Sequence, residues 1–338
     1  MSLRAISAHI WQLYIISLPT FALMLKYKAD RRTLAVVGLY LSTVVLSWIY
    51  FPEEWYLRVL VVAANCVLSF MCAVITHNTI HAPIFKERIW NKVFQVVLSF
   101  TYGHSVSAYV PGHNFSHHQH TQTPKDRIRT DKMRFRWNFL NQLFFFFRMV
   151  PGIMKDENAF AKRMWKENPR WVYQYVFELA VVMGIKVTLL FIDWEKALLI
   201  LFLPHSYAAW GIVGTNYWQH DGCDENHKYN HTRNFKGKVI NYIAFNNGFH
   251  GAHHEVPHLH WSLLPAYHYE HIAPHLHPNL TRDNLFSYLW EMHVYPGKRI
   301  DYLGEPFVLP PKVDDSDWME NLDISKNPYG LGVEGHPR

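Results

Sequence analysis

Residues 57–81 read LRVLVVAANCVLSFMCAVITHNTIH. The apolar part, 57–76, is long enough to cross a bilayer, which takes about twenty mostly apolar residues. It ends directly on His77-Asn-Thr-Ile-His81, a pair of imidazoles four residues apart. Two further clusters follow, His113-Asn-Phe-Ser-His117-His118 and His250-Gly-Ala-His253-His254. On a helix, residues three and four apart share a face, so each cluster can aim its imidazoles into one pocket. Eight histidines exceed what one metal ion can hold, so two ions are expected. No Asp or Glu is interleaved within the clusters, and neutral imidazole favours iron, zinc, copper or nickel over magnesium or calcium. A lone histidine is ordinarily a core or surface residue, and with 23 in the chain some fall close together by chance. Chance does not readily give repeated ligand spacing, twice ending in His-His, each time beside an apolar run.

The composition suits a membrane bundle. Of 338 residues, 49% are hydrophobic, 16% aromatic and only 18% charged, against a usual charged share of about a quarter. Cys66, Cys72 and Cys223 make no pairing pattern, and two of them sit in the apolar run, so they read as small hydrophobes. The amino-terminal run 5–25 has no basic leader or small-residue cleavage site, which predicts an anchoring helix.

Spans are expected at residues 5–25, 34–50, 57–76, 172–192 and 197–215. Glu178 and Lys186 interrupt the fourth, either as an inward-facing pair or as drift toward an interface. Lys26, Lys28, Arg31 and Arg32 precede the second span, whereas Glu53 and Glu54 follow it. Positive loops stay cytoplasmic, which places His77, His81 and the basic stretch 125–136 on that side. The apolar runs 92–110 and 139–154 cannot each cross once if the clusters share a site, so they must lie along the interface or re-enter. The expectation is an all-α, polytopic membrane bundle forming one domain over residues 1–310. A His-rich catalytic cap at 216–310 would face the cytoplasm, with a short amphipathic helix near 282–293 and an irregular tail at 311–338. No nucleic-acid fold signature accompanies the basic residues, which suit lipid headgroups instead.

The three boxes, spaced H-x-x-x-H, H-x-x-x-H-H and H-x-x-H-H, resemble those of the integral-membrane fatty acid desaturase and hydroxylase superfamily. The likeness covers residues 76–264. The second box, with Thr123-Pro124-Lys125-Asp126 after it, is most similar to the membrane alkane monooxygenase branch. Asn216-Tyr-Trp-Gln-His220, directly after the last span, matches the family's further histidine. The resemblance therefore implies nine ligands (His77, His81, His113, His117, His118, His220, His250, His253 and His254) around a non-haem di-iron centre, with Asn216 approaching an iron through water. The plain alternative for Asn216 is a helix cap.

What the resemblance implies is an O2-dependent oxidoreductase that introduces a double bond into a fatty acyl chain. Hydroxylation of an alkyl or acyl chain, or oxidative decarboxylation to an alkene, are alternatives from the same hydrogen abstraction. A metal transporter is the non-enzymatic alternative, but transporters place ligands near mid-membrane, whereas these boxes fall at span ends. No C-x-x-C-H or cysteine ligand set is present, so electrons are expected from a separate ferredoxin or small cytochrome with its reductase. Imidazole ligands need acceptors on their outer nitrogens, for which Asp126, Asp221 and Glu255 are candidates by proximity. His120 and His231 are candidate supporting groups. His258, His260, His268, His271, His275 and His277 lack ligand spacing and read as structural. The segment 230–234 is a candidate headgroup contact. Tunnel walls are expected from the aromatic runs 98–102, 143–147 and 245–249.

Overall fold

The computed structural model describes residues 24–322 and Ile324. All of the expected span 5–25 but Met24 and Leu25 lies outside the described residues. Among the described residues, four helices are long and apolar enough to cross a membrane: α1 (Asp30–Ile49), α2 (Trp55–His81), α5 (Pro169–Ile192) and α6 (Trp194–His220). They contain the runs expected at 57–76, 172–192 and 197–215, and all of 34–50 but Tyr50. Pro52 stops the chain between α1 and α2, because a residue before proline leaves the helical region. Pro169 opens α5 at the first turn, where a missing N–H costs nothing. Their exposed residues include Leu46, Leu60, Val176 and Phe191, a lipid-facing surface that a bilayer would cover.

Between α2 and α5 lie two helices that do not qualify as spans. The first, α3 (Arg88–Tyr102), re-enters. Gln174 near the start of α5 donates to Lys92 O (3.3 Å), and Lys186 Nζ donates to Gly103 O (3.0 Å). Gln174 and Lys186 are about 18 Å apart along α5 at 1.5 Å per residue, so α3 runs beside α5 and ends deep in the bundle. Gly103, at φ 86°, ends the helix. The chain then turns back: Ser105 Oγ (2.7 Å) and Ser107 N (2.9 Å) donate to Glu178 Oε2, while Ser107 Oγ (3.2 Å) and Gln174 Nε2 (2.9 Å) donate to Oε1. Glu178 and Lys186 are both buried. They are not paired with each other. Lys186 caps the carbonyl end of α3, where a cation is favoured, and Glu178 satisfies the donors of the returning turn. Irregular backbone at this depth is tolerated only with such partners.

The other helix, α4 (Asn138–Glu167), carries charged residues from Arg148 onward and Pro151 within it. Its buried face meets α6: Trp210 Nε1 donates to Leu143 O (3.1 Å) and Tyr217 Oη to Asn138 Oδ1 (2.7 Å). Phe139, Phe144 and Phe147 stay exposed.

The same local device launches three of the non-spanning helices. Asn91 donates to Phe85 O and accepts from Phe85 N. Asn141 does the same with Phe135. Asn241 donates to Phe235 O and accepts from Gly248 N. A Phe, a basic residue and an Asn six positions after the Phe thus mark the entries to α3, α4 and the short α7 (Lys238–Ile243). An asparagine amide substitutes for backbone partners where the incoming chain has none.

The cap is completed by α8 (His250–Glu255), α9 (Leu285–Leu289) with the π-turn Trp290–Val294, and one parallel strand pair, β1 (Asn234–Phe235) with β2 (Thr281–Arg282). Asp30 ties α1 to it, accepting from His260 Nε2 (3.0 Å) and Trp261 Nε1 (3.1 Å). Residues 311–318 have no regular structure, but they are anchored. Asp315 pairs with Lys132 (2.7 Å), Asp317 pairs with Lys155 (2.7 Å), and Met319, Leu322 and Ile324 pack with Phe115, Phe160 and Trp171.

Candidate metal centre

The nine histidines converge on two places. His77, His81, His113, His118 and His253 form one group and His117, His220, His250 and His254 the other, with the ring nitrogens of each group within 4.8 Å of one another. All are buried except His254, which is partly so. The last turn of α2 brings His77 and His81, and the last residue of α6 is His220. Box three sits on α8, whose i, i+4 pair His250 and His254 shares a group while His253 points to the other.

Box two divides differently from a plain α-helix. Residues Pro111–His117 form a π-turn, and His118 N bonds back to His113 O. The wider turn puts residues five apart on one side, so His113 and His118 go together and His117 goes to the second group. Single π-turns inside helices recur at functional sites.

The nitrogens that face inward are Nε2. His118 Nε2 lies 3.0 Å from those of both His113 and His253. His250 Nε2 is 2.9 Å from His220 Nε2 and 3.1 Å from His254 Nε2, and His117 and His254 are 3.2 Å apart. For a metal–nitrogen bond of about 2.1 Å, ligands at right angles sit about 3.0 Å apart. Both ring nitrogens of buried His81, and Nδ1 of His250, have no hydrogen-bond partner. Burial, reinforced by neighbouring imidazoles, holds His113, His118, His250, His253 and His254 well below the usual imidazole range. Neutral imidazoles whose Nε2 atoms face one another at these spacings fit a divalent metal pair.

Outer partners fix several rings. Asp126 Oδ2 accepts from His117 Nδ1 (3.0 Å) and from Gln122 N (2.9 Å), and its Oδ1 accepts from Ile128 N (2.9 Å). Because a carboxylate only accepts, Nδ1 carries the proton and Nε2 is free to bind. His220 Nδ1 donates to His231 O (3.0 Å), and His77 Nδ1 to Asn78 Oδ1 (3.3 Å). Asp126 is therefore the one carboxylate of the three candidates that reaches a cluster histidine. Asp221 is taken by Arg299 (2.9 Å) and Glu255 by Lys228 (3.1 Å). Asn78 was not marked by the sequence, and His231, a candidate supporting group, acts through its backbone carbonyl, which neither residue type nor spacing marks.

The remaining candidates sort by contact. Asn216 is buried, donates to Ile128 O (3.1 Å) and lines a cavity beside both groups, without a hydrogen bond to a histidine among the described residues. His120 packs on Trp318, and His260 serves Asp30. None of His258, His260, His268, His271, His275 and His277 belongs to either group. The segment 230–234 supports box three: Arg233 is spent on Trp218 O, Asp221 O and Tyr288 Oη, and Asn234 Oδ1 accepts from Gly251 N (2.9 Å).

That cavity has a volume of about 320 Å³. Phe70, Val74 and His77 line it from α2, Ala209, Ile212, Asn216 and Gln219 from α6, and Phe146, Val150, Ile153 and Glu157 from α4. It meets His77 and His113 of one group and His250 of the other. Its extent along α6 is about 15 Å, at 1.5 Å per residue. Of the aromatic runs expected as walls, Tyr102 and Phe146 contribute. In the third run it is Asn247 and Gly248 that line the space, while Phe245 and Phe249 pack into the core.

Residues 53–283 match the family model described as fatty acid desaturase. No curated protein matches the chain.

Proposed function

This chain belongs to the fatty acid desaturase family, and from that premise we propose that it is a membrane-bound desaturase that introduces a C=C bond into a fatty acyl chain. The nine histidines would hold two irons, five ligands on one and four on the other. When bound, a non-haem di-iron pair supplies, with O2, the oxidising power needed to break an unactivated C–H bond. The balance is R–CH2–CH2–R′ + O2 + 2 e⁻ + 2 H⁺ giving R–CH=CH–R′ + 2 H2O. The observation that carries the reading is the apolar cavity that touches imidazoles of both groups.

The protein's own residues have three tasks. Asp126 and the His231 carbonyl keep Nε2 of His117 and His220 available as ligand atoms. Val74, Ile212 and Val150 hold an alkyl segment against the imidazoles and exclude water, so that hydrogen abstraction is confined to carbons in that stretch. Asn216, held by Ile128 O, offers an amide between cavity and metal site for a bound water. The basic start of α1 and the loop after box two are expected on the same side as the histidines, which supports a cytoplasmic active site. A separate ferredoxin or small cytochrome with its reductase would deliver the two electrons there.

The test is a chain deuterated at two adjacent carbons, supplied to the purified two-iron protein with an electron donor. Desaturation gives an alkene that has lost one deuterium from each carbon. An alcohol with oxygen from O2 that keeps the neighbouring deuterium would establish the hydroxylase instead, and a terminal alkene with loss of CO2 the decarboxylase.

A further inference from the structure

We infer that His104, Glu157 and Tyr175 form the subsite for the polar end of the substrate, and that this end is a free carboxyl group. The inference rests on the cavity being the acyl-chain site, as proposed above. Among residues lining the cavity, Met154 and His104 are the exposed ones, with the His104 side chain 48% accessible. They mark an opening between α4 and the re-entrant turn. Just inside it, the Glu157 side chain is only 10% accessible. Tyr175 Oη donates to Glu157 Oε1 (2.7 Å), and His104 Nε2 lies 3.3 Å from Oε2. Tyr175 is itself stacked on Trp171 at 5.5 Å. A carboxylate buried beside an apolar cavity is costly unless it is hydrogen-bonded, and here both oxygens have a partner.

The triad's geometry selects a ligand. With Nε2 committed to Glu157, Nδ1 is the ring nitrogen left to meet an incoming group. It can donate to a carboxylate or accept from a carboxylic acid. Phosphate-bearing headgroups call instead for arginine or lysine, and no Lys or Arg lines the cavity. The amide groups elsewhere in the lining donate to protein acceptors: Gln219 to Asn247 O, Asn247 to Asn78 Oδ1 and Asn216 to Ile128 O. A single-chain fatty acid can therefore seat its carboxyl at His104 and lay its chain along α2 and α6 past the metal groups. A cavity of about 300–1,000 Å³ suits one such ligand.

The test measures equilibrium binding to the full chain in nanodiscs, without reductant so that nothing turns over. The probes are radiolabelled dodecanoic acid, methyl dodecanoate and dodecanoyl coenzyme A. His104→Ala should weaken the acid about tenfold, the loss of one charge-assisted hydrogen bond, and leave the ester within about twofold. Retained ester binding also reports that the variant is folded. Should His104→Ala bind neither probe, Glu157→Gln decides, with the same selective loss of acid expected. The inference is overturned if acid binding is unchanged in both variants, or if the coenzyme A thioester binds more tightly than the acid. Ala209→Trp, which fills the chain path, separates the two readings. If it leaves acid and ester binding intact, the cavity is not the chain site and the proposed function fails. If it abolishes both while His104→Ala does nothing, only the carboxyl subsite fails.

Discussion

Replacing Asp126 by Asn should empty one metal position and spare the other. The carboxylate accepts three hydrogen bonds in a fully buried place: His117 Nδ1 and Gln122 N on Oδ2, and Ile128 N on Oδ1. An amide of the same shape keeps one acceptor oxygen and adds a donor. If that oxygen faces Ile128 N, the new NH2 confronts both His117 Nδ1–H and Gln122 N–H. If it faces His117, the NH2 confronts Ile128 N–H. Either way at least one buried donor loses its partner, at about 1–3 kcal/mol. His117 can escape by moving its proton to Nε2, but that removes Nε2 as a ligand. Loss of an outer partner to a metal-bound histidine typically costs about 10–100-fold in affinity, or about 1.4–2.7 kcal/mol. The loss should fall on the His117, His220, His250, His254 group, because Asp126 contacts no histidine of the other. Metal content after dialysis against chelators of graded strength should show one position emptying 10–100-fold earlier in Asp126→Asn and the other unchanged. Two positions at wild-type affinity, or both lost in parallel from a folded protein, would refute the reasoning.

Gly103→Ala should destabilise the bundle severely: the site needs φ 86°, and an added Cβ would lie 2.4 Å from His205, so thermal melting in nanodiscs should fall well below wild type or folding should fail. Ala209→Phe should shorten the longest chain accepted, read by product mass spectrometry, while iron content stays at wild type. His268 is buried with its pKa lowered to about 4, by burial and then by Lys236. The unfolded chain, near 6.5, takes the proton first, so this group's contribution is complete above pH 6.5 and lost as pH falls toward 4, up to about 3 kcal/mol. Melting of His268→Leu should accordingly be less sensitive to acid across that window than wild type. Single cysteines near Arg31, Arg129 and Asp221 should label from the cytoplasmic side and one near Glu53 from the outside. Arg129 and Asp221 labelling from opposite sides would sink the common site.

The boxes and the four spans among the described residues were legible because both signals are local. Twenty apolar residues announce a crossing, and His77 and His81 four apart at its end announce a shared face. The division of ligands was not legible, because it depends on a π-turn at Pro111–His117 that no spacing rule anticipates. An α-helical reading pairs His113 with His117; the structure pairs His113 with His118. Proximity in sequence misassigned Asp221 and Glu255 for a related reason. Both are close in number to ligands, yet each faces a cation nearer in space, Arg299 and Lys228. The recurring Phe and Asn six apart was printed in the chain at 85 and 91, 135 and 141, and 235 and 241. Its meaning needed the backbone, since an Asn reveals its acceptors only when the chain entering the helix is placed.

The charges inside α5 show why the re-entrant turn belongs to the chemistry as well as the fold. Boxes one and two must stand on the same side of the membrane, yet an apolar stretch separates them. A straight crossing would place His113 about 30 Å away, on the other face of the hydrocarbon. Turning back avoids this but strands the carbonyls of the last turn of α3 and the N–H groups of the return in an apolar setting, at several kcal/mol each if unmet. Lys186 and Glu178 meet them from one neighbouring helix, each at the depth where its sign is needed. The same turn supplies Tyr102, His104 and Tyr109 to the cavity, so the element that returns box two to the metal site also walls the space beside it. Exchanging the two charges, Glu178→Lys with Lys186→Glu, would keep the composition and hydropathy of α5 and yet oppose both ends of the turn. Metal binding and cavity should then be lost together.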